Sequence, residues 1–234
     1  MSSASSEKAS LAELIHPKHT ALVVIDPQND LCLTNGAIGK MNYDRSIYDF
    51  SVYPPMLEKL KMVLDAARRS HVTVMYTQAI AIPERQASPP RVRMALKIYR
   101  QTDPMRLPKS VVEGTWGHEF IEEVKPRPTD IVIKKHTNSA FFGTSLDMLL
   151  RNNNIRTLVI TGCQTDGCVE STVRDASYSL GYVCVIVKDC VASFSRECHE
   201  AMMKVFERRF DVVSSSEIVD AWEGASVASG LVKS

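Results

Sequence analysis

Residues 157–176 read TLVITGCQTDGCVESTVRDA, and the two halves of this stretch follow different periodicities. Thr157 to Thr161 is a short, β-branched, continuously apolar run, the pattern of a strand buried on both faces. From Val169 onward the apolar positions Val173, Ala176 and Leu180 recur at helical spacing, and Gly181 supplies a stop. Thr165 or Asp166 is suited to cap that helix, which sets Cys168 in its first turn. A strand that runs through a tight turn into a helix is the repeating half of a parallel α/β sheet.

The same alternation extends in both directions. Strand patterns occupy 21–26 (ALVVID), 72–77 (VTVMYT), 130–135 (DIVIKK) and 182–187 (YVCVIV), and a short last strand is expected at 210–213. Helical spacing marks 53–69 through Met56, Leu60, Val63, Leu64 and Ala67, 144–152 through Leu146, Leu149 and Leu150, and 199–209 through Met202, Met203 and Phe206. A closing helix is expected at 216–222. This order predicts an α/β fold: a three-layer α-β-α arrangement around a central six-stranded, mostly parallel sheet of Rossmann-like kind with right-handed crossovers. Nothing rich enough in Gly, Ser or Pro divides the chain, so residues 1–234 are expected to form one domain, with 1–19 as an N-terminal extension. The segment 79–115 is long for a connection; IPERQASPPR and QTDPMRLPKS bracket a short helical stretch at 92–99, which is either a lid over a site or an interface arm.

Composition narrows the function classes. With 234 residues, 44% hydrophobic and 24% charged, the chain is long and apolar enough to bury a large core. The net charge of +1, with signs mixed along the chain, offers no basic stripe for nucleic acid. No run reaches the roughly 18 apolar residues of a membrane helix, and MSSASSEKAS has no apolar signal core, so a cytoplasmic protein acting on a small molecule is expected. The six cysteines, at 32, 163, 168, 184, 190 and 198, include no Cys-x-x-Cys pair and read as reduced thiols.

Ligands of open parallel sheets sit beyond the carboxyl ends of the strands. Asp26 ends the first strand, Lys134 and Lys135 end the third, and the turn after the fourth delivers Cys168. A carboxylate, an ammonium and a thiol thus emerge on one sheet edge. Taken alone, Cys168 has three readings: a small core residue, half of a redox pair with Cys163, or a nucleophile. Its place in a first helical turn favours a thiolate and offers N–H groups to a developing oxyanion. On the mouth loop, Gln28 and Asn29 are placed to orient the reactive groups or a substrate, or Asn29 simply turns the chain with Asp30. Gln78 at the end of the second strand is a further rim residue, and Trp116 and Phe141 are candidate pocket walls or plain core. His118 and His136 are isolated histidines, while Arg91, Arg93 and Arg100 in the insertion either meet an anionic substrate or form a solvated face.

Three ordered motifs, ALVVIDPQND, KHTNSAFFGTSLDMLL and GCQTDGCVESTVRDASYSLGY, resemble the isochorismatase-like cysteine hydrolases across about 20–222. Within that family, GTWGHEFIEEVKPRPTDIVIKK and CVESTVRD are most similar to the ureidoacrylate amidohydrolase branch and its ureide-cleaving relatives. The resemblance implies a triad of Asp26, Lys135 and Cys168, with Lys134 its neighbour. It implies an oxyanion hole from the backbone N–H groups of Gln164 and Cys168, aimed by a cis peptide between Cys163 and Gln164. Gln164 is also a candidate substrate contact. Asn138, where many relatives carry an aromatic, is placed for a polar contact to a ureide or carboxamide. The implied reaction is C–N hydrolysis of a small amide or ureide through a covalent thioacyl or carbamoyl enzyme; biuret, triuret and carbamoylated amines are all open. No metal is expected, because TQAIAIPERQ lacks the Asp and histidines that nicotinamidase members place after the second strand. No cofactor is implied, and a homo-oligomer, dimer or tetramer, is. A vinyl-ether hydrolase or a non-catalytic scaffold are the alternatives.

Overall fold

The computed structural model describes residues 9–41, 48–81 and 89–228. Residues 1–8 of the expected extension and 82–88 of the expected insertion lie outside that set. Six strands are present: β1 (Thr20–Ile25), β2 (Thr73–Ala79), β3 (Ile131–Lys135), β4 (Thr157–Cys163), β5 (Val183–Ala192) and β6 (Asp211–Val213). They form one sheet in the order β3-β2-β1-β4-β5-β6, and every adjacent pair is parallel. The order reverses between β1 and β4, which opens a crevice at their carboxyl ends. Both flanking strands are buried along their whole length, as their unbroken apolar runs require.

Alternate residues of β1 serve opposite layers. Leu22 and Val24 join the core beneath α3 (Tyr53–Arg69) and α8 (Ser215–Ala228), with Leu60, Leu64, Ile218 and Trp222. Ala21, Val23 and Ile25 join the core beneath α5 (Leu146–Asn152), α6 (Glu170–Arg174) and α7 (Arg196–Arg209), with Leu146, Val173 and Phe206. Each fully buried Leu or Ile in these layers contributes roughly 1.5–3 kcal/mol relative to exposure. The start of the chain is tied in as well: α1 (Leu11–Leu14) leads to the fully buried Ile15, whose carbonyl accepts the Trp222 indole N–H at 2.9 Å.

Two connections carry the site. A short helix, α2 (Asn29–Cys32), follows β1, and the insertion between β2 and β3 contains α4 (Pro89–Ile98). Strand β5 runs five residues past the expected end at 187, although Lys188 and Asp189 break its apolar pattern. Asp189 is accounted for, because its carboxylate caps α8 by accepting from Ser215 N–H at 2.7 Å and Ser215 Oγ at 2.6 Å.

The turn after β4 departs from the expected capping. Helical backbone starts at Thr165, so Gln164 is the N-cap residue, and it makes no side-chain cap. Thr165 instead bonds His199 Nδ1 at 2.9 Å, and Asp166 accepts from Ser193 Oγ at 2.6 Å. Tertiary partners took both polar side chains, leaving a π-helical turn (Thr165–Val169) ahead of α6 and a second one (Asp175–Ser179) after it.

Candidate active site

Asp26, Lys135 and Cys168 meet at the β1/β4 crevice. Asp26 is the first residue beyond β1, fully buried, in a left-handed backbone conformation (φ +49°) that Asp tolerates better than most residues. Thr77 on β2 fixes it: its hydroxyl donates to Asp26 Oδ1 at 2.6 Å, and the Asp26 N–H points back at the same threonine. Close approach of β1 to β4 needs Gly162, where a Cβ would come within 2.1 Å of the Ile25 carbonyl oxygen.

Lys135 is 1% exposed, and its ammonium lies 2.7 Å from Asp26 Oδ2. The same nitrogen is within hydrogen-bond distance of the Thr137 carbonyl (2.9 Å), the Asn138 carbonyl (3.0 Å) and Cys168 Sγ (3.2 Å), so four acceptors share three protons. The contact with Asp26 pairs opposite charges, and the same carboxylate also reaches the thiol. The loop that supplies the two carbonyls is pinned in turn, since Ser139 Oγ donates to Asp175 Oδ2 at 2.5 Å and Ala140 N–H to Thr172 Oγ1 at 3.0 Å.

Burial pushes the Cys168 thiol up to about 12; Lys135 opposes that shift, and the Asp26 carboxylate adds to it by charge and by hydrogen bond. That direction opposes the helix terminus, which by itself favours a thiolate. Burial by itself would lower the Lys135 ammonium, but Asp26 and then Cys168 more than reverse that and hold it charged.

Cys163 is not a partner for Cys168. Its sulfur lies 3.2 Å from Cys32 Sγ and donates to the Asp26 carbonyl at 3.2 Å, and all six cysteines are free. The peptide bond between Cys163 and Gln164 is cis. The Gln164 N–H makes no hydrogen bond to any described residue, whereas its carbonyl accepts from the N–H groups of Gly167 and Val169. Its side-chain amide is occupied: Oε1 accepts from Tyr53 Oη at 2.6 Å and Phe194 N–H at 3.3 Å, and Nε2 donates to the Leu31 carbonyl at 3.1 Å.

The remaining rim residues divide by what they touch. Gln28, Asn29 and Asp30 clamp the insertion. Gln28 Nε2 donates to the carbonyls of Ala79 and His118 while its Oε1 accepts the Ala79 N–H, and Asn29 Nδ2 donates to the Trp116 carbonyl. Asp30 accepts the N–H groups of Ala37 and Val111, and Val111 is itself held at φ +50°, a conformation a β-branched residue rarely takes. Gln78 Nε2 donates to the same His118 carbonyl. These polar side chains after Asp26 and at the end of β2 bond to backbone in the positions seen. Trp116 is 46% exposed, Asn138 is exposed with its carbonyl on Lys135, and Phe141 is half-buried, stacked on Tyr182. Arg93 and Arg100 are exposed, and the Arg91 side chain lies outside the described residues. Asp30, Thr77 and Tyr53 were not among the expected site residues; only the adjacency of Asp30 to Asn29 marked any of them in sequence. A separate cleft of about 540 Å³, lined by Lys59, Asp189, Arg196 and His199, lies between α3 and α7 and does not include the reactive trio.

The chain resembles known proteins in sequence and in fold. A model described as the isochorismatase domain matches residues 20–218. The chain belongs to the isochorismatase family. It is 34% identical over 213 residues to the ureidoacrylate amidohydrolase RutB of Pantoea ananatis, covering 88% of this chain and 82% of the relative. Among solved structures, a cysteine hydrolase from Pseudomonas syringae superposes with a TM-score of 0.73 at 23% identity, over 91% of this chain and 96% of that one. N-carbamoylsarcosine amidase from Thermoplasma acidophilum superposes with a TM-score of 0.61 at 27% identity, over 84% of this chain and 96% of that one. The parallel six-stranded sheet is thus the fold of this family's hydrolases.

Proposed function

We propose that this family member hydrolyses the C–N bond of a small amide or ureide, with Cys168 as nucleophile, Asp26 as proton carrier and Lys135 as fixed ammonium. The observation that carries this reading is the single buried ammonium 2.7 Å from the Asp26 carboxylate and 3.2 Å from the Cys168 sulfur. Resting charges are Asp⁻, Lys⁺ and neutral thiol. Moving the thiol proton to Asp26 Oδ2 gives neutral acid, Lys⁺ and thiolate, so negative charge shifts from oxygen to sulfur beside the same cation. No net charge is created in a buried site, which removes the main obstacle to ionising a thiol whose pKa is about 12.

The thiolate then attacks the carbonyl carbon, and the oxyanion is received by the N–H groups of Gln164 and Cys168. Collapse breaks the C–N bond, the Asp26 proton passes to the leaving nitrogen, and a thioester or thiocarbamate remains on Cys168. Asp26 next takes a proton from water, whose oxygen displaces the sulfur, and returns that proton to the departing thiolate. The ureide preference rests on the similarity to RutB and to N-carbamoylsarcosine amidase. Trp116, Asn138 and Phe141 are proposed as substrate walls, with Asn29, Gln78 and Gln164 acting there through the backbone they hold.

Residues 1–234 act as one domain in this reading, and the insertion is its lid. Both stems are clamped next to Asp26, Tyr48 donates its hydroxyl to the Ile98 carbonyl at the end of α4, and the adjacent Tyr99 phenol is raised chiefly by burial. Free thiols suit a reducing cytoplasm. Exposed Phe142, Met105 and Met148 suit a homo-oligomer, which light scattering on the purified protein tests. The reaction itself is tested by a screen of ureides and primary amides with ammonia detection. Cys168→Ser and Asp26→Asn are expected to lose nearly all turnover while folding normally. Full turnover in Cys168→Ala would overturn the mechanism and favour chemistry without a cysteine, such as vinyl-ether hydrolysis.

A further inference from the structure

We infer that Tyr53, at the start of α3, is a positioning residue for the oxyanion hole: its hydroxyl holds the Gln164 side chain and thereby aims the Gln164 N–H at the carbonyl under attack. The inference rests on Cys168 being the nucleophile. Tyr53 is fully buried, and its hydroxyl donates to Gln164 Oε1 at 2.6 Å, the shortest of the three hydrogen bonds of that amide. The other two reach the Leu31 carbonyl on α2 and the Phe194 N–H after β5, so one glutamine side chain is fastened to three separate elements. The same residue carries the only backbone donor of the turn's first peptide, an N–H that no described residue accepts. An open donor in the turn that delivers Cys168, on a residue whose side chain is bonded at both ends of its amide, is the arrangement that preorganised oxyanion binding needs.

The hydroxyl is available for this as a donor alone. Burial, followed by the nearby Cys32 and Cys163 thiols, holds the Tyr53 phenol far above its ordinary value, so it stays protonated. Without that hydroxyl, Oε1 retains only the longer bond from Phe194, and the turn loses its tie to α3. Misplacement of a reacting group by about 1 Å costs on the order of a hundredfold in rate.

Two reagents separate this role from simple packing. Acylation of Cys168 by p-nitrophenyl acetate passes through a tetrahedral oxyanion, whereas alkylation by iodoacetamide is a direct displacement at carbon and forms none. Tyr53→Phe is expected to slow the p-nitrophenol burst about ten- to a hundredfold while the alkylation rate stays within about twofold. Gln164→Leu keeps the peptide N–H but removes the acceptor, and the same selective loss is expected of it, which preserves the test should Tyr53→Phe fail to fold. A folded variant in which acylation and alkylation stay unchanged, or fall together, would overturn the inference. A burst that persists in Cys168→Ala would instead defeat the assignment of the nucleophile.

Discussion

The turn after β4 carries the Cys168 sulfur, the insertion between β2 and β3 comes near it at Tyr99, and the two are held in opposite ways. In the turn, three consecutive side chains are each bonded to a different element: Gln164 to α3, Thr165 to α7 and Asp166 to the end of β5. The insertion is fastened at Ala79, Val111, Trp116 and His118 and at the Ile98 carbonyl, while Met94, Ile98 and Met105 between those points are 44%, 43% and 88% exposed. Chemistry that needs sub-ångström placement is built on the side that the core determines. The insertion, the lid of the proposed reading, is hung from its stems, where it can differ among relatives without moving Asp26, Lys135 and Cys168.

Asp26→Asn should separate the two sides most widely. The carboxylate raises the Cys168 thiol and Lys135 lowers it, so removing the charge should bring the thiol below its present value of about 12. Iodoacetamide should then alkylate Cys168 faster near pH 8 in the variant than in the native protein, although turnover falls by roughly 10³-fold or more for want of a proton carrier. Slower alkylation would mean that Asp26 activates the sulfur in the resting state.

Lys135→Met should come next, in stability as well as rate. Both partners are at most 1% exposed, so the substitution strands a buried carboxylate and should cost about 3–5 kcal/mol by denaturant unfolding. A loss under about 1 kcal/mol would show that water reaches Asp26.

Asp30→Ala probes the hung side. Two backbone N–H groups, those of Ala37 and Val111, lose their acceptor, at a cost of about 1–3 kcal/mol. Because the insertion stem loosens while the triad is untouched, KM is expected to rise about tenfold with kcat nearly constant. A fall in kcat at constant KM would place Asp30 with the chemistry instead.

The two sides also differ in how far the sequence declared them. The strands, the 53–69 helix and the switch-point edge carrying Asp26 and Cys168 follow from periodicity, because each element's burial is recorded in its own residues. The capping of the turn did not follow: Thr165 and Asp166 are good caps by local rules, but His199 and Ser193 reach them from elsewhere in the fold. The clamp made by Gln28, Asn29 and Asp30 is hidden for the same reason, since the insertion groups they bond lie 51 to 90 residues away. Burial and Asp26, which raise the Cys168 thiol, come from the fold, whereas the helix terminus that favours a thiolate is visible in sequence.

Lys134 and Lys135 reduce the contrast to adjacent residues, and the smallest effect is expected here. On β3 successive side chains point to opposite faces, so the one pairs with Glu113 at the surface, 57% and 59% exposed, and the other with Asp26 inside. Water and salt screen the outer pair, and holding two long side chains together offsets most of its attraction. Lys134→Ala should therefore leave Tm within about 2 °C of native and kcat/KM within about twofold. A loss approaching that of Lys135→Met would mean that β3 is shifted by one residue, because a one-residue slip exchanges every side chain between the faces of a strand. The measurement thus tests the register that carries Lys135 to the sulfur.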